Sequence, residues 1–189
     1  MAKRRRSNRG GMSIFEQVET ARADRREMMV YGPVDTVMAH DVSSAIEHYA
    51  SLNKKPITIT MNTPGGSVVD GLSIYDSIKR VTAKGIKVRI IATGACMSMG
   101  TIILQAATER LSTPHTAFLL HELSMINIGT LGQQKDRHEE ALRLQKVLNG
   151  ILSERSGLSD AKLKVLVERR DLYMTAAEAK QWRLIDKVI

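Results

Sequence analysis

The chain has 189 residues, 43% hydrophobic and 25% charged, with 28 Lys and Arg against 20 Asp and Glu and a formal net charge of +8. That composition suits a soluble globular protein with room for a core. No apolar run approaches the roughly 18 residues of a membrane span, and a single cysteine, Cys96, excludes an internal disulfide and a Cys-rich zinc site.

Five of the basic residues, Lys3, Arg4, Arg5, Arg6 and Arg9, fall at the start with no acid among them, leaving +3 for the rest. This run, closed by Gly10-Gly11, reads as a disordered arm over residues 1–11, followed by one domain over residues 12–189. The arm suits contact with nucleic acid or an acidic partner, and equally a solvated tail with no fixed partner. Two Phe and one Trp supply little stacking surface, which argues against single-strand binding. No apolar stretch of a secretory leader follows the basic residues, so a reducing, cytoplasmic setting is expected, with no membrane contact.

Residues 14–26 have the spacing of a short amphipathic helix, with Ile14, Phe15, Val18 and Ala21 near one face. Residues 27–34 form an apolar strand closed by Gly32-Pro33, and residues 39–52 return to helical period through Val42, Ala45, Ile46 and Tyr49. His40 and His48 lack the surrounding ligands of a metal site and read as surface or packing residues. Residues 56–62 alternate with β-branched side chains, as a strand does. They run into Thr63-Pro64-Gly65-Gly66-Ser67, where adjacent glycines allow positive φ and let backbone N–H groups face a ligand.

A helix over residues 69–82 and a strand over residues 86–91 follow, and then the small-residue stretch Gly94-Ala95-Cys96-Met97-Ser98-Met99-Gly100 opens another helix. A strand over residues 116–120 leads directly into His121. A long helix is expected over residues 133–156, with Ala141, Leu144, Leu148, Ile151 and Leu152 in one apolar stripe. That stripe suits packing inside one subunit and contact with another equally well. Ser159-Asp160 caps a shorter helix through Val167, Thr175 with Glu178 has the form of a capping box, and residues 184–189 close the chain as a strand.

Alternating strands and helices imply a mostly parallel sheet with crossover helices. Ligand and catalytic groups in such sheets gather at the carboxyl ends of the strands. Gly65-Gly66, Ser98 and His121 each follow a strand end, so topology alone brings them together. Ser98 is open to two readings: an N-cap, or a nucleophile at a strand-to-helix turn backed by the positive end of a helix. With His121 as base, spacing leaves Asp171, Asp160, Asp136 and Asp70 all formally open as the orienting acid.

Four motifs now stand in order: Asn62-Thr63-Pro64-Gly65-Gly66-Ser67-Val68, Gly94 to Gly100, His121 after an apolar strand, and Arg170-Asp171-Leu172-Tyr173-Met174-Thr175-Ala176. Together they resemble the proteolytic subunit of the Clp protease (ClpP) over residues 14–189. The resemblance implies a crotonase-like α/β fold with a protruding handle helix, and a serine endopeptidase that needs no metal or other cofactor. It assigns Ser98 as nucleophile, His121 as general base and Asp171 as orienting acid, with the backbone N–H groups of Gly66 and Met99 as the oxyanion hole. It further implies self-assembly into rings of seven stacked in pairs, unfolded proteins or short peptides as substrates, and an AAA+ unfoldase as partner.

The chain departs from the family pattern in three places. Cys96 and Met97 stand where smaller residues are usual; Glu122-Leu123 replaces a Gln-Pro pair; the pore-lining N-terminal hairpin gives way to the Arg-rich arm. The last of these departures puts the unfoldase partnership in doubt and admits a phage-encoded relative that trims capsid or scaffold proteins. A non-catalytic ring subunit is a further alternative, as is an acyl-CoA enzyme on the same fold, although acyl-CoA chemistry gives no reason for Ser98, His121 and Asp171 to coincide. Cys96 has no base of its own and is not expected to compete as nucleophile.

Overall fold

The computed structural model describes residues 11–168 and 170–189, so the basic run from Lys3 to Arg9 lies outside the described residues. The central element is a mostly parallel sheet, ordered β1 (Glu27–Tyr31), β2 (Ile57–Thr63), β3 (Val88–Met97), β4 (Glu109–Ser112) and β7 (Lys187–Val188). Crossover helices α2 (Thr36–Leu52) and α3 (Val68–Ala83) make the parallel pairing of β1, β2 and β3 possible. The α/β class expected from the alternation of elements is the one observed.

β2 alternates buried and half-buried along its length, with Ile57, Ile59, Met61 and Thr63 inward. Val30 on β1 and Val88, Ile90 and Ala92 on β3 share that covered face, and Ile46, Ile74 and Ile78 of the helices pack in the same core. The opposite face carries Met29, Tyr31, Thr58, Thr60, Arg89 and Ile91, all partly or largely exposed.

β3 is longer than its apolar run suggests: the strand expected to end at residue 91 continues through Gly94, Ala95 and Cys96 to Met97. Its register against β2 shifts between Met61 and Thr63, and Gly94 takes φ 59° there. Asn62 fills the irregularity, its Oδ1 accepting from the Ala95 N–H at 3.0 Å. The shift lets β3 change partners. Its first half pairs with β4, and Ala95, Cys96 and Met97 pair with β5 (Ala117–Leu120). β5 in turn pairs antiparallel with β6 (Leu172–Met174).

α1 (Ile14–Asp24) has a complete capping box at Ser13 and no buried residue at all, leaving Ile14, Phe15 and Val18 exposed. α4 (Met99–Leu104) is short and wholly buried. α5 (Leu131–Arg155) buries only Leu148, Asn149 and Leu152, so its first three turns stand clear of the core. The expected apolar stripe is therefore divided, with Leu148 and Leu152 packed within the subunit and Ala141, Leu144 and Ile151 half-buried. α6 (Asp160–Val167) starts at the Ser159 cap, and α7 (Ala176–Gln181) at the Thr175–Glu178 capping box.

Candidate active site

Ser98 directly follows β3 and occupies the N-cap position of α4, yet its side chain makes no capping bond. Its backbone stands at φ 50° and ψ −120°, a sparsely populated conformation for a residue with a Cβ, costing about 1–3 kcal/mol. Neighbouring hydrogen bonds hold it there. The Ser98 N–H donates to the Leu119 carbonyl at 2.9 Å, and the Ser98 carbonyl accepts from the Thr101 N–H at 2.9 Å and from Thr101 Oγ1 at 2.6 Å. Ser98 Oγ lies 2.7 Å from His121 Nε2. With the ring proton on Nδ1, that contact is the serine hydroxyl donating to a free imidazole nitrogen, the arrangement a general base requires.

His121 reaches this position because β5 pairs with the end of β3 and ends at Leu120, one residue before it. The Gly65-Gly66 turn closes the other side. A Cβ on Gly65, whose φ is +93°, would lie 2.6 Å from Ser98 Cβ and 2.8 Å from the Met97 carbonyl oxygen, so only glycine allows this approach. Gly66, at φ +151°, sits against Val34, and a Cβ on it would fall 2.2 Å from the Val34 carbonyl oxygen. Val34 N–H donates to the Gly65 carbonyl, and Ser67 N–H donates to the Val34 carbonyl, each at 2.8 Å.

That short parallel bridge uses the groups on either side of the Gly66 N–H and leaves the latter, among the described residues, without an acceptor. The Met99 N–H is likewise uncommitted, as the first amide of a helix is. The Met99 side chain is buried against Gly71 of α3, where any Cβ would collide with it. Gly66, Ser98, Met99 and His121 line one cleft of about 70 Å³. Its walls are apolar at Val68, Ile102, Leu148, Leu163 and Val167 and polar at Gln145 and Asn149.

Ser98, His121, Gly66 and Met99 thus come together from separate segments. Asp171 does not complete the set: it is exposed, and among the described residues no hydrogen bond joins it to His121. The β5–β6 register, extended one residue beyond Leu120↔Leu172, nonetheless runs through His121 and Asp171. The other candidate acids are no nearer to serving. Asp70 accepts from Thr36 Oγ1, while Asp136 and Asp160 are exposed on α5 and α6. Cys96 is fully buried, and burial pushes its thiol pKa far up, which removes it as a nucleophile.

Sequence reasoning missed the parts played by Val34, Thr101 and Gln145. The Gly32-Pro33 pair before Val34 was a signal that the strand ends and turns toward the glycine loop; for Thr101 and Gln145 no pattern in the chain marks the role.

A sequence model described as Clp protease matches residues 10–189 of the chain. The chain is 36% identical over 166 residues to ATP-dependent Clp protease proteolytic subunit 2 of Pseudomonas aeruginosa, covering 87% of this chain and 81% of that protein. It is 34% identical over 183 residues to proteolytic subunit 3 of Rhizobium etli, covering 94% and 91% respectively. Against proteolytic subunit 2 of Prochlorococcus marinus the identity is 38% over 138 residues, covering 71% and 67%.

Proposed function

The chain belongs to the Clp protease family, and from that premise we propose that it is a serine endopeptidase subunit with Ser98 as nucleophile and His121 as base. The observation that carries the reading is the 2.7 Å approach of Ser98 Oγ to His121 Nε2 beside two uncommitted backbone amides. In this reading His121 Nε2 takes the hydroxyl proton as Oγ attacks the substrate carbonyl. The developing oxyanion is received by the N–H groups of Gly66 and Met99, whose dipoles are fixed before the reaction begins. As the C–N bond breaks, His121 returns the proton to the leaving amine, and a water activated by the same imidazole then releases the acyl group. Asp171, immediately before β6 and next in the β5–β6 register to His121, is the orienting acid in this reading.

Self-assembly into stacked rings is part of the same proposal. Parallel sheets are seldom left open on a face, and here one face presents Met29, Tyr31, Thr58 and Arg89. The exposed apolar stripe of α1 and the clear-standing first turns of α5 are further surfaces for neighbouring copies. Unfolded chains or short peptides are the substrates. ATP enters only through a separate unfoldase ring, where one docks, and the hydrolytic step itself uses none.

A second reading, a ring subunit that does not itself cleave, is favoured by one observation: Asp171 is not bonded to His121. Hydrolysis of a fluorogenic peptide by wild-type protein and by Ser98→Ala separates the two. Activity lost in the variant, with the oligomer intact by native mass spectrometry, supports the peptidase. An inactive wild type that co-assembles with an active homologue supports the second reading, and equal activity in both proteins rejects Ser98 as nucleophile.

A further inference from the structure

We infer that Gln145 of α5 is a positioning residue for the His121 base, acting through the backbone amide of Leu123. The inference rests on the peptidase reading above and concerns the same site. β5 ends at Leu120, and the chain beyond His121 leaves the sheet. Over residues 123–126 the Leu123 N–H is, among the described residues, the one backbone group with a protein partner: it donates to Gln145 Oε1 at 2.6 Å. The Gln145 carboxamide is held at its other end as well, Nε2 donating to Asn149 Oδ1 at 2.8 Å one turn along the helix. Asn149 is only 8% exposed, so the pair is a fixed post and not a solvated side chain.

Three consequences follow for the site. His121 sits two residues before the tethered amide, and His121, Leu123, Gln145 and Asn149 all line the cleft at Ser98. The imidazole lacks a bonded carboxylate among the described residues, so its placement against Ser98 depends on where its own backbone is held. The tether also needs the Leu123 N–H itself, which a prolyl residue at that position would lack.

The test uses the full-length assembled protein. The second-order rate of fluorophosphonate labelling at Ser98, and kcat and KM for a short fluorogenic peptide, are measured for wild type, Gln145→Met, Gln145→Glu, Leu123→Pro and the double variant Gln145→Met/Leu123→Pro. Rates are normalised to the folded fraction. Gln145→Met, which keeps length and helix propensity but removes the acceptor, is expected to lower labelling and kcat about tenfold with KM changed less than about twofold. Gln145→Glu keeps an acceptor and recovers most of that loss. Leu123→Pro removes the donor and loses as much as Gln145→Met, and the double variant loses no more than the worse single one. Unchanged labelling in Gln145→Met, a loss confined to KM, equal loss in Gln145→Glu, or additive losses in the double variant would overturn the positioning role. A wild type that fails to label at Ser98 rejects the peptidase reading itself, before any variant is compared.

Discussion

Gly65→Ala probes the site without touching a reacting group. At φ +93° an alanine is strained by about 1–2 kcal/mol, and its Cβ would stand 2.6 Å from Ser98 Cβ, 2.8 Å from the Met97 carbonyl oxygen and 3.0 Å from the Met99 nitrogen. Two of these three contacts are backbone atoms, which cannot swing aside as a flexible side-chain end would. Relieving such overpacking typically costs a further 1–3 kcal/mol. Against a total stability of roughly 5–15 kcal/mol the protein is expected to fold, with Tm lowered by roughly 4–20 °C. The movement that relieves the clash carries Ser98 and the Met99 amide away from His121 and Gly66. Misplacement on the ångström scale costs about a hundredfold in rate. The assay is the fluorophosphonate labelling rate at Ser98, measured beside thermal unfolding. A Gly65→Ala variant that labels as fast as wild type would refute the proposed packing of the glycine turn on the nucleophile.

Three further outcomes follow from neighbouring contacts. Thr101→Val removes the hydroxyl that donates to the Ser98 carbonyl at 2.6 Å; it is expected to cost about 0.5–1.5 kcal/mol in urea unfolding and to slow labelling, because the strained Ser98 backbone loses one of its restraints. Asp186 is bonded to the buried Arg110. Burial alone would raise its carboxyl pKa, but hydrogen bonds and charge from Arg110, helped by Arg155, outweigh burial and hold it below the ordinary 3.8. A depressed carboxylate stabilises the fold fully above its unfolded pKa, so this contribution declines as pH falls below about 4 and is gone below the folded value. Unfolding measured from pH 6 to pH 2 checks it, and Asp186→Asn should flatten that part of the profile. Cys96, buried and with its thiol pKa raised, is expected to resist iodoacetamide in the native protein and to react once urea unfolds it, as read by intact-mass spectrometry.

The larger elements were legible because each carries a periodic or capping signal that tertiary context does not reverse. β2 announces itself by alternation, Ser159 and Thr175 by their caps, and the Gly65-Gly66 turn by the need for positive φ. β4 and β6 were missed for opposite reasons. β4 hides behind Glu109 and Arg110, although Arg110 is buried and satisfied by Asp186, Gln105 and the Arg183 carbonyl. β6 is three residues long, too short for a period to be read. The end of β3 was not read as strand because its apolar run stops near residue 91, and glycine and alanine follow where β3 changes neighbours from β4 to β5. The closing strand shrank to Lys187–Val188 because residues 182–186 turn instead, placing Asp186 on Arg110.

The site divides in the same way. Strand ends and glycines named Gly66, Ser98 and His121 from topology, but a hydrogen-bond distance is a property of side-chain rotamers, which no spacing encodes. Asp171 makes the point: the strand register, extended by one residue, pairs it with His121, yet the residue is exposed and among the described residues makes no hydrogen bond to the imidazole. Ser98 was open to a capping role because serine at a helix start usually caps. Its positive φ decides otherwise, and that torsion comes from the Leu119 and Thr101 hydrogen bonds rather than from Ser98's own preference.

The measurement closest to the central claim is peptide mapping of the fluorophosphonate adduct in wild type, His121→Ala and Asp171→Asn. The adduct is expected on Ser98 alone, reduced at least a thousandfold in rate by His121→Ala and by a smaller factor in Asp171→Asn. An adduct on any other residue, or labelling of Ser98 indifferent to the loss of His121, would contradict the claim that these two side chains form one catalytic unit.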